Sequence, residues 1–513
     1  MALIRSIATV GGYTLVSRVL GFLRDVLVAA YLGAGPVADA FFVAFKFPNF
    51  FRRLFAEGAF NAAFVPMFAG KIATAGRASA KIFAEDTLAV LLAVLLAFVL
   101  VIEAAMPWFM TVAAPGFVRE PEKFQLAVDL TRITFPYLLF ISLVSLQGGV
   151  LNSLDRFAAV AATPVLLNLC LIGALLGFTP IAPSAGHALA WGVALAGAVQ
   201  FVWLASACAQ AGMGLSLPRP RLSPEVKRLL TLMLPAALGS GVVQVNLLID
   251  VVLASLLPTG SVSYLYYADR IYELPLAVIG IAIGTAILPL LARQVRSGEH
   301  GAAVATQNRA LEAALLLTLP AAAALIVLDH PIIAVLFERG AFRGAEVTAT
   351  AAALSAYALG LPAYVLIKVL TPCFYAREDT RTPVKVAVLC VVINTGAALA
   401  LMPFLAHVGI ALATVISAWI NSVLLALALR RRGYFAPDAQ LKRRLPRMLA
   451  ASAIMAAALW GLLLMLTPWF LGTGYTRLAA FAVLVMAGLA VYGLAALVVR
   501  AADLKELRRL VAR

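Results

Sequence analysis

The sequence predicts an all-α polytopic membrane protein with about 14 transmembrane helices. Three observations carry this reading. Of the 513 residues, 63% are hydrophobic and only 12% are charged, and the mean hydropathy is +0.99. Apolar runs as long as the ~20 residues a spanning helix needs recur along the whole chain. Basic residues gather in alternate connections, as they do in the cytoplasmic loops of membrane proteins.

The runs lie near 4–32, 37–69, 82–106, 126–151, 157–179, 187–209, 229–257, 262–291, 308–328, 346–375, 384–403, 407–429, 447–466 and 478–500. The first two are joined at GAGP and carry most of the buried charge. The third and fourth carry charge only toward their ends, Arg132 included, the fifth and sixth carry no Asp, Glu, Lys or Arg, the seventh holds Asp250 and the eighth holds YYADRIYELP. In the ninth to fourteenth the deep charge is Lys368, the others lying near run ends. No connection is long enough for an independent folded domain, which argues against an enzyme with an extramembrane catalytic head. The first run is too long, and too rich in arginine, for a cleaved signal peptide.

The net charge is +16, from 40 Lys and Arg against 24 Asp and Glu. Its placement in short loops on one side fits membrane lipids and argues against nucleic acid. With the N-terminus inside, the outer connections hold only Arg119, Lys123, Arg339, Arg343 and Arg477, so both termini are expected in the cytoplasm. Cys170, Cys208, Cys373 and Cys390 lie in or at the ends of apolar runs without CxxC spacing, and the four histidines are scattered. Neither a disulfide framework nor a zinc site is visible.

An internal repeat appears at a spacing of about 225 residues. VLVAAYLGAGPV (26–37) lines up with VVLASLLPTGSV (251–262), and AAFVPMF (62–68) with TAILPLL (285–291). Asp25 falls opposite Asp250. Each half holds an even number of runs, so the expected arrangement is a parallel repeat around a central cavity. The division is an N-lobe over 1–215, a C-lobe over 216–435, and two further helices with a cytoplasmic tail over 436–513.

Charge inside spans marks candidate function, because an arginine at mid-membrane costs at least about 2.5–3.5 kcal/mol. In SRVLGFLRD, Arg18 and Arg24 flank Gly21, and a bend at that glycine would aim both at one cavity. Asp25 is a charge partner for a neighbouring arginine, and Asp39 opens the second run. Pro48-Asn49 breaks that run; Arg53 and Glu57 are spaced for an ion pair, which leaves Arg52 as the ligand candidate. In the eighth run, Asp269, Arg270 and Glu273 form either a structural ion-pair knot or a substrate clamp. Arg18, Arg24, Arg52 and Arg270 together would make a ladder of guanidinium groups, the side chain suited to phosphate oxygens. That predicts a diphosphate with an apolar tail as passenger. Asp250, with Asn394 and Thr414 in later runs, is either an oxygen-ligated Na⁺ site or a simply paired or protonated carboxyl.

SRVLGFLRD, GAGPVADAFFVAFKFPNFFRRLFAEGAFNAAFVP, SVSYLYYADRIYELP, LFERGAF (336–342) and KVLTPCFYAREDTRTPVK (368–385) closely resemble the MurJ (MviN) family of lipid II flippases. That family belongs to the multidrug/oligosaccharidyl-lipid/polysaccharide exporter superfamily. The resemblance covers essentially the whole chain, including the last two helices. It implies a monomer of the bacterial inner membrane that flips undecaprenyl-pyrophosphate-linked peptidoglycan precursor to the outer leaflet by alternating access, in contact with cell-wall synthesis proteins. It makes Arg18, Arg24, Arg52 and Arg270 the substrate-binding set. Asp25, Asp39, Arg53, Asp269 and Glu273 are supporting charges, with Ser17 and Ser263 as polar neighbours. Helices thirteen and fourteen would hold the polyprenyl tail. A sodium site of part of the family maps to Asp250, Asn394 and Thr414, with Ala398 in place of its other carboxylate. The runner-up functions are a flippase for another lipid-linked oligosaccharide and a multidrug antiporter; the four arginines argue against the antiporter, which would want a carboxylate-lined cavity.

Overall fold

A computed structural model describes residues 2–53, 60–470, 472 and 474–502, with side chains except those of 2–8, 234–243, 281, 282 and 285. Among the described residues there is no strand. The fold is all-α, with α1 (Ala2–Leu32), α2 (Pro36–Phe51), α3 (Asn61–Ala104), α4 (Met106–Ala113), α5 (Pro121–Thr134), α6 (Tyr137–Asn152), α7 (Phe157–Gly173), α8 (Ala185–Gln210) and α9 (Pro224–Ser255) in the first half. There follow α10 (Ser261–Pro275), α11 (Ile281–Arg296), α12 (His300–Val327), α13 (Asp329–Phe337), α14 (Gly344–Ala358) and α15 (Leu361–Tyr375). The last three are α16 (Arg381–Arg431), α17 (Ala439–Phe470) and α18 (Tyr475–Val498). In their described residues, all fourteen apolar runs fall on helices. Nine helices among the described residues are long and apolar enough to cross a membrane by length and composition.

Local backbone chemistry sets where the helices break. Gly35 stands in extended conformation before Pro36, whose fixed φ starts α2. Gly76, at φ +79, interrupts α3, a conformation open to glycine without penalty. Ala406, at φ 47, divides α16 into the two runs read from the sequence. The short helices α4 and α13 lie almost wholly outside the apolar runs.

The chain divides into two compact units by packing. One contains residues 1–263 and 339–342, the other 264–338 and 343–513. In the first, α1 packs on α7, α6 lies between α3 and α8, and α2 packs on α5. Helix α9, which opens the expected C-lobe, packs here on α3 and α4. Lys71 Nζ and Glu225 Oε1 meet at 2.8 Å between α3 and α9. The Lys71 hydrogen bond holds the Glu225 carboxyl below its ordinary range. In the second unit, α12 packs on α15 and α17, α15 packs on α11 and α16, and α17 pairs with α18. Arg309 bridges Glu312 and Asp438, while Arg444 reaches Glu312 at 3.2 Å. The buried Asn308 donates to the Ala436 carbonyl at 2.9 Å, so the C-terminal pair is fastened to α12 by polar contacts as well as packing.

The repeat recurs in the packing. The pairs α3–α6 and α6–α8 correspond to α12–α15 and α15–α16, and α4 and α13 begin at nearly the same spacing. Within the first unit two glycines related by that spacing each press on the end of a helix. A Cβ on Gly116 would stand 1.9 Å from the Ser255 carbonyl oxygen, and one on Gly340 2.2 Å from the Ala30 carbonyl oxygen. Gly340 also holds φ +59, and the neighbouring Ala341 N–H donates to Ala30 at 2.8 Å. Both obstacles are backbone, so Gly116→Ala and Gly340→Ala should each lower stability by about 1–3 kcal/mol through overpacking. Thermal unfolding of the solubilised chain checks this, with Gly301→Ala, which meets open space, as the tolerated control.

Candidate substrate-binding residues

Helix α1 runs without interruption from Ala2 to Leu32, so the chain does not unwind at Gly21. The glycine lies against the Asn168 amide of α7, whose Nδ2 would be 3.4 Å from a Cβ there. Asn168 Nδ2 donates to the Ser17 carbonyl at 3.0 Å. Its Oδ1 accepts from Arg24 Nη1 at 2.9 Å. Arg24 also reaches Asp25 Oδ1 through Nε at 3.1 Å and Nη2 at 2.7 Å, which realises the expected pairing of Asp25 with an arginine. The ion pair is 12% and 7% exposed, dry enough for its geometry to be well fixed. Arg18, by contrast, is exposed on the same helix.

A second cluster forms where α2 begins. Asp39 is 1% exposed and Lys123, at the start of α5, is 4% exposed. Lys123 Nζ lies 3.0 Å from Asp39 Oδ2, 2.9 Å from Thr259 Oγ1, and 4.3 Å above the Phe117 ring. The same carboxylate accepts from Gly260 N at 2.7 Å, Ser263 N at 3.0 Å and Ser263 Oγ at 2.6 Å. Those amides open α10, so Asp39 places a negative charge on the positive end of that helix. The two residues expected as supporting groups, Asp39 and Ser263, are therefore in direct contact. Lys123, read from the sequence as an ordinary outer-loop cation, is the buried partner that the sequence did not reveal.

The remaining charges are placed separately. Arg52 follows α2 as a half-buried residue and Arg53 is exposed; Glu57, its expected partner, lies outside the described residues. In the second unit, Arg270 Nη1 meets Glu273 Oε2 at 3.1 Å, at 35% and 44% exposure, and its guanidinium lies 4.9 Å from the Tyr266 ring centroid. Asp269 is half-buried beside them. Lys368 is exposed, with its stem across the faces of Gly280 and Gly284.

Asp250 belongs to the first unit, and Asn394 and Thr414 to the second. Asn394 is buried, and Thr414 Oγ1 donates within its own helix to Ile410 O at 3.0 Å. Among the described residues no group of three His, Cys, Asp or Glu is arranged to hold a metal ion. Ala398 is fully buried.

Comparison with known proteins accords with the all-helical frame. The family model described as lipid II flippase MurJ matches residues 28–480. A probable lipid II flippase MurJ of Rhizobium meliloti is 47% identical over 524 residues, covering 100% of this chain and 97% of the relative. The lipid II flippase MurJ of Burkholderia cenocepacia is 38% identical over 461 residues, covering 89% of each. Among solved structures, a lipid II flippase MurJ in an inward closed conformation superposes with a TM-score of 0.80 at 26% identity, covering 96% of this chain and 98% of that one. An inward-facing multidrug transporter of the MATE family shares the fold alone, with a TM-score of 0.69 at 15% identity over 81% and 94% of the two chains. With the family model spanning most of its length and a relative matched from end to end, the chain belongs to the MurJ family of lipid II flippases.

Proposed function

We propose that this chain flips lipid II from the cytoplasmic to the outer leaflet of the bacterial inner membrane by alternating access. Arg18, Arg24, Arg52 and Arg270 take the diphosphate, and Asp25, Asp39, Arg53, Glu57, Asp269, Glu273, Ser17 and Ser263 support them. The observation that carries this reading is Arg24, a guanidinium held part-buried within a predominantly apolar helix. A cation is retained in such a place when it faces a protein interior or a wet cavity, where it gives a multiply charged headgroup a polar path across lipid. Guanidinium offers paired N–H groups in the geometry of phosphate oxygens, which an ammonium lacks.

In this reading the lobes over 1–215 and 216–435 move against one another, and 436–513 supplies the surface for the polyprenyl tail. Both termini are cytoplasmic, the working form is the monomer, and the basic stretch between Arg430 and Arg447 meets anionic lipid or cell-wall synthesis proteins. No transport step is routed through sodium. Measured with the solubilised full chain, lipid II should bind at least about tenfold more tightly than an undecaprenyl-diphosphate-linked O-antigen unit, a difference of ~1.4 kcal/mol. Equal affinities would favour a flippase for another lipid-linked glycan.

A further inference from the structure

Resting on the diphosphate reading above, we propose that Asn168 is a positioning residue that holds Arg24 without neutralising it, and so sets the strength of diphosphate binding. Three observations converge. Asn168 is 5% exposed, in a run of α7 where every neighbour within four positions is apolar or a proline. Its amide spans two partners on α1, accepting from Arg24 Nη1 at 2.9 Å and donating to the Ser17 carbonyl at 3.0 Å. The helix facing it carries Gly21 against the amide: a Cβ there would already touch Nδ2 at 3.4 Å, so a side chain reaching beyond Cβ would crowd it.

The chemistry of the two ends fixes the amide's orientation. Turned over, its NH₂ would face a guanidinium and its oxygen a carbonyl, both repulsive. Only a neutral group with an acceptor and a donor this close together serves both partners. Aspartate keeps the acceptor for Arg24 but meets the Ser17 carbonyl with negative charge. It also adds a second anion to a guanidinium that Asp25 already balances, which opposes an incoming diphosphate. Alanine removes the tether and leaves the Asp25 contact in place.

These differences separate positioning from a merely structural role. A structural anchor predicts that Asn168→Asp, which retains a partner for Arg24, is tolerated better than Asn168→Ala. The positioning account predicts the reverse order. The test uses the solubilised full chain, farnesyl diphosphate as ligand with farnesyl monophosphate for comparison, and melting temperature as a control on folding. Asn168→Ala should weaken diphosphate binding about tenfold, as expected for loss of a hydrogen bond to a charged group. Asn168→Asp should weaken it further while melting at or above the alanine variant. Diphosphate binding by Asn168→Asp that equals or exceeds Asn168→Ala would overturn the proposal. Should either variant fail to fold, Gly21→Leu, whose side chain reaches beyond a Cβ that already touches the amide, takes its place, and binding unchanged from the parent would be equally fatal. If instead the parent chain binds monophosphate as well as diphosphate, the functional reading itself fails, whatever Asn168 does.

Discussion

Arg270→Ala should lose lipid II transport with almost no change in melting temperature, and Arg24→Lys should behave in the same way. The two substitutions are chosen so that loss of function is separated from loss of fold. Arg270 and Glu273 are each more than a third exposed, and ion pairs in that setting contribute about 0–1 kcal/mol. Removing Arg270 therefore takes away little stability, and any large deficit must come from what it binds. Arg24 is different, because alanine there would take the guanidinium away from the buried Asp25 carboxylate. Lysine retains the charge for Asp25 but has no fork to hold both Asn168 and a phosphate oxygen. Each lost charge-assisted contact costs about 1.5–3 kcal/mol, or roughly ten- to a hundredfold in affinity. Growth complementation in the host, with membrane levels measured in parallel, reads the result. Full complementation by both variants would defeat the diphosphate clamp.

Lys123→Met should be the most destabilising single change outside the arginine set. It leaves the Asp39 carboxylate, 1% exposed, without its cation. Breaking a buried pair from one side typically costs about 3–5 kcal/mol, because the remaining charge is desolvated and uncompensated. Three N–H and O–H donors at the start of α10 still reach Asp39, so the loss should fall toward the lower end of that range. Asp39→Asn added to Lys123→Met should recover part of the stability, since the amide oxygen still accepts from Gly260 or Ser263 while no charge is left unpaired. A double-mutant cycle in thermal unfolding measures the coupling. Additive losses would mean that the pair is not the unit described.

The fold was largely legible in the sequence for a physical reason. In lipid a backbone must satisfy its own hydrogen bonds, so each apolar run of spanning length has to be a helix. The same logic says nothing about α4 and α13, which are short and lie almost wholly outside the runs. The charged stretch 71–81 was read as a connection, yet α3 continues through it on either side of Gly76. The site was legible where charge stands against an apolar background, at Arg24, Asp25, Asp39 and Arg270. Its partners were not, because Lys123 lies 84 residues from Asp39 and Asn168 lies 144 from Arg24. Asn168 did leave a trace, as the single amide in FAAVAATPVLLNLCLIG. Gly21 was read by its backbone freedom, whereas it lies against the Asn168 amide in an uninterrupted helix.

The central claim is transport of lipid II, and depletion of the protein in its own host tests it most directly. After depletion, intact cells are treated from outside with a reagent that cleaves only outward-facing lipid II. The account predicts accumulation of uncleaved precursor, restored to cleavage by the parent gene but not by the Arg270→Ala gene. Lipid II that remains fully cleavable after depletion would contradict it and point to another lipid-linked glycan as the passenger.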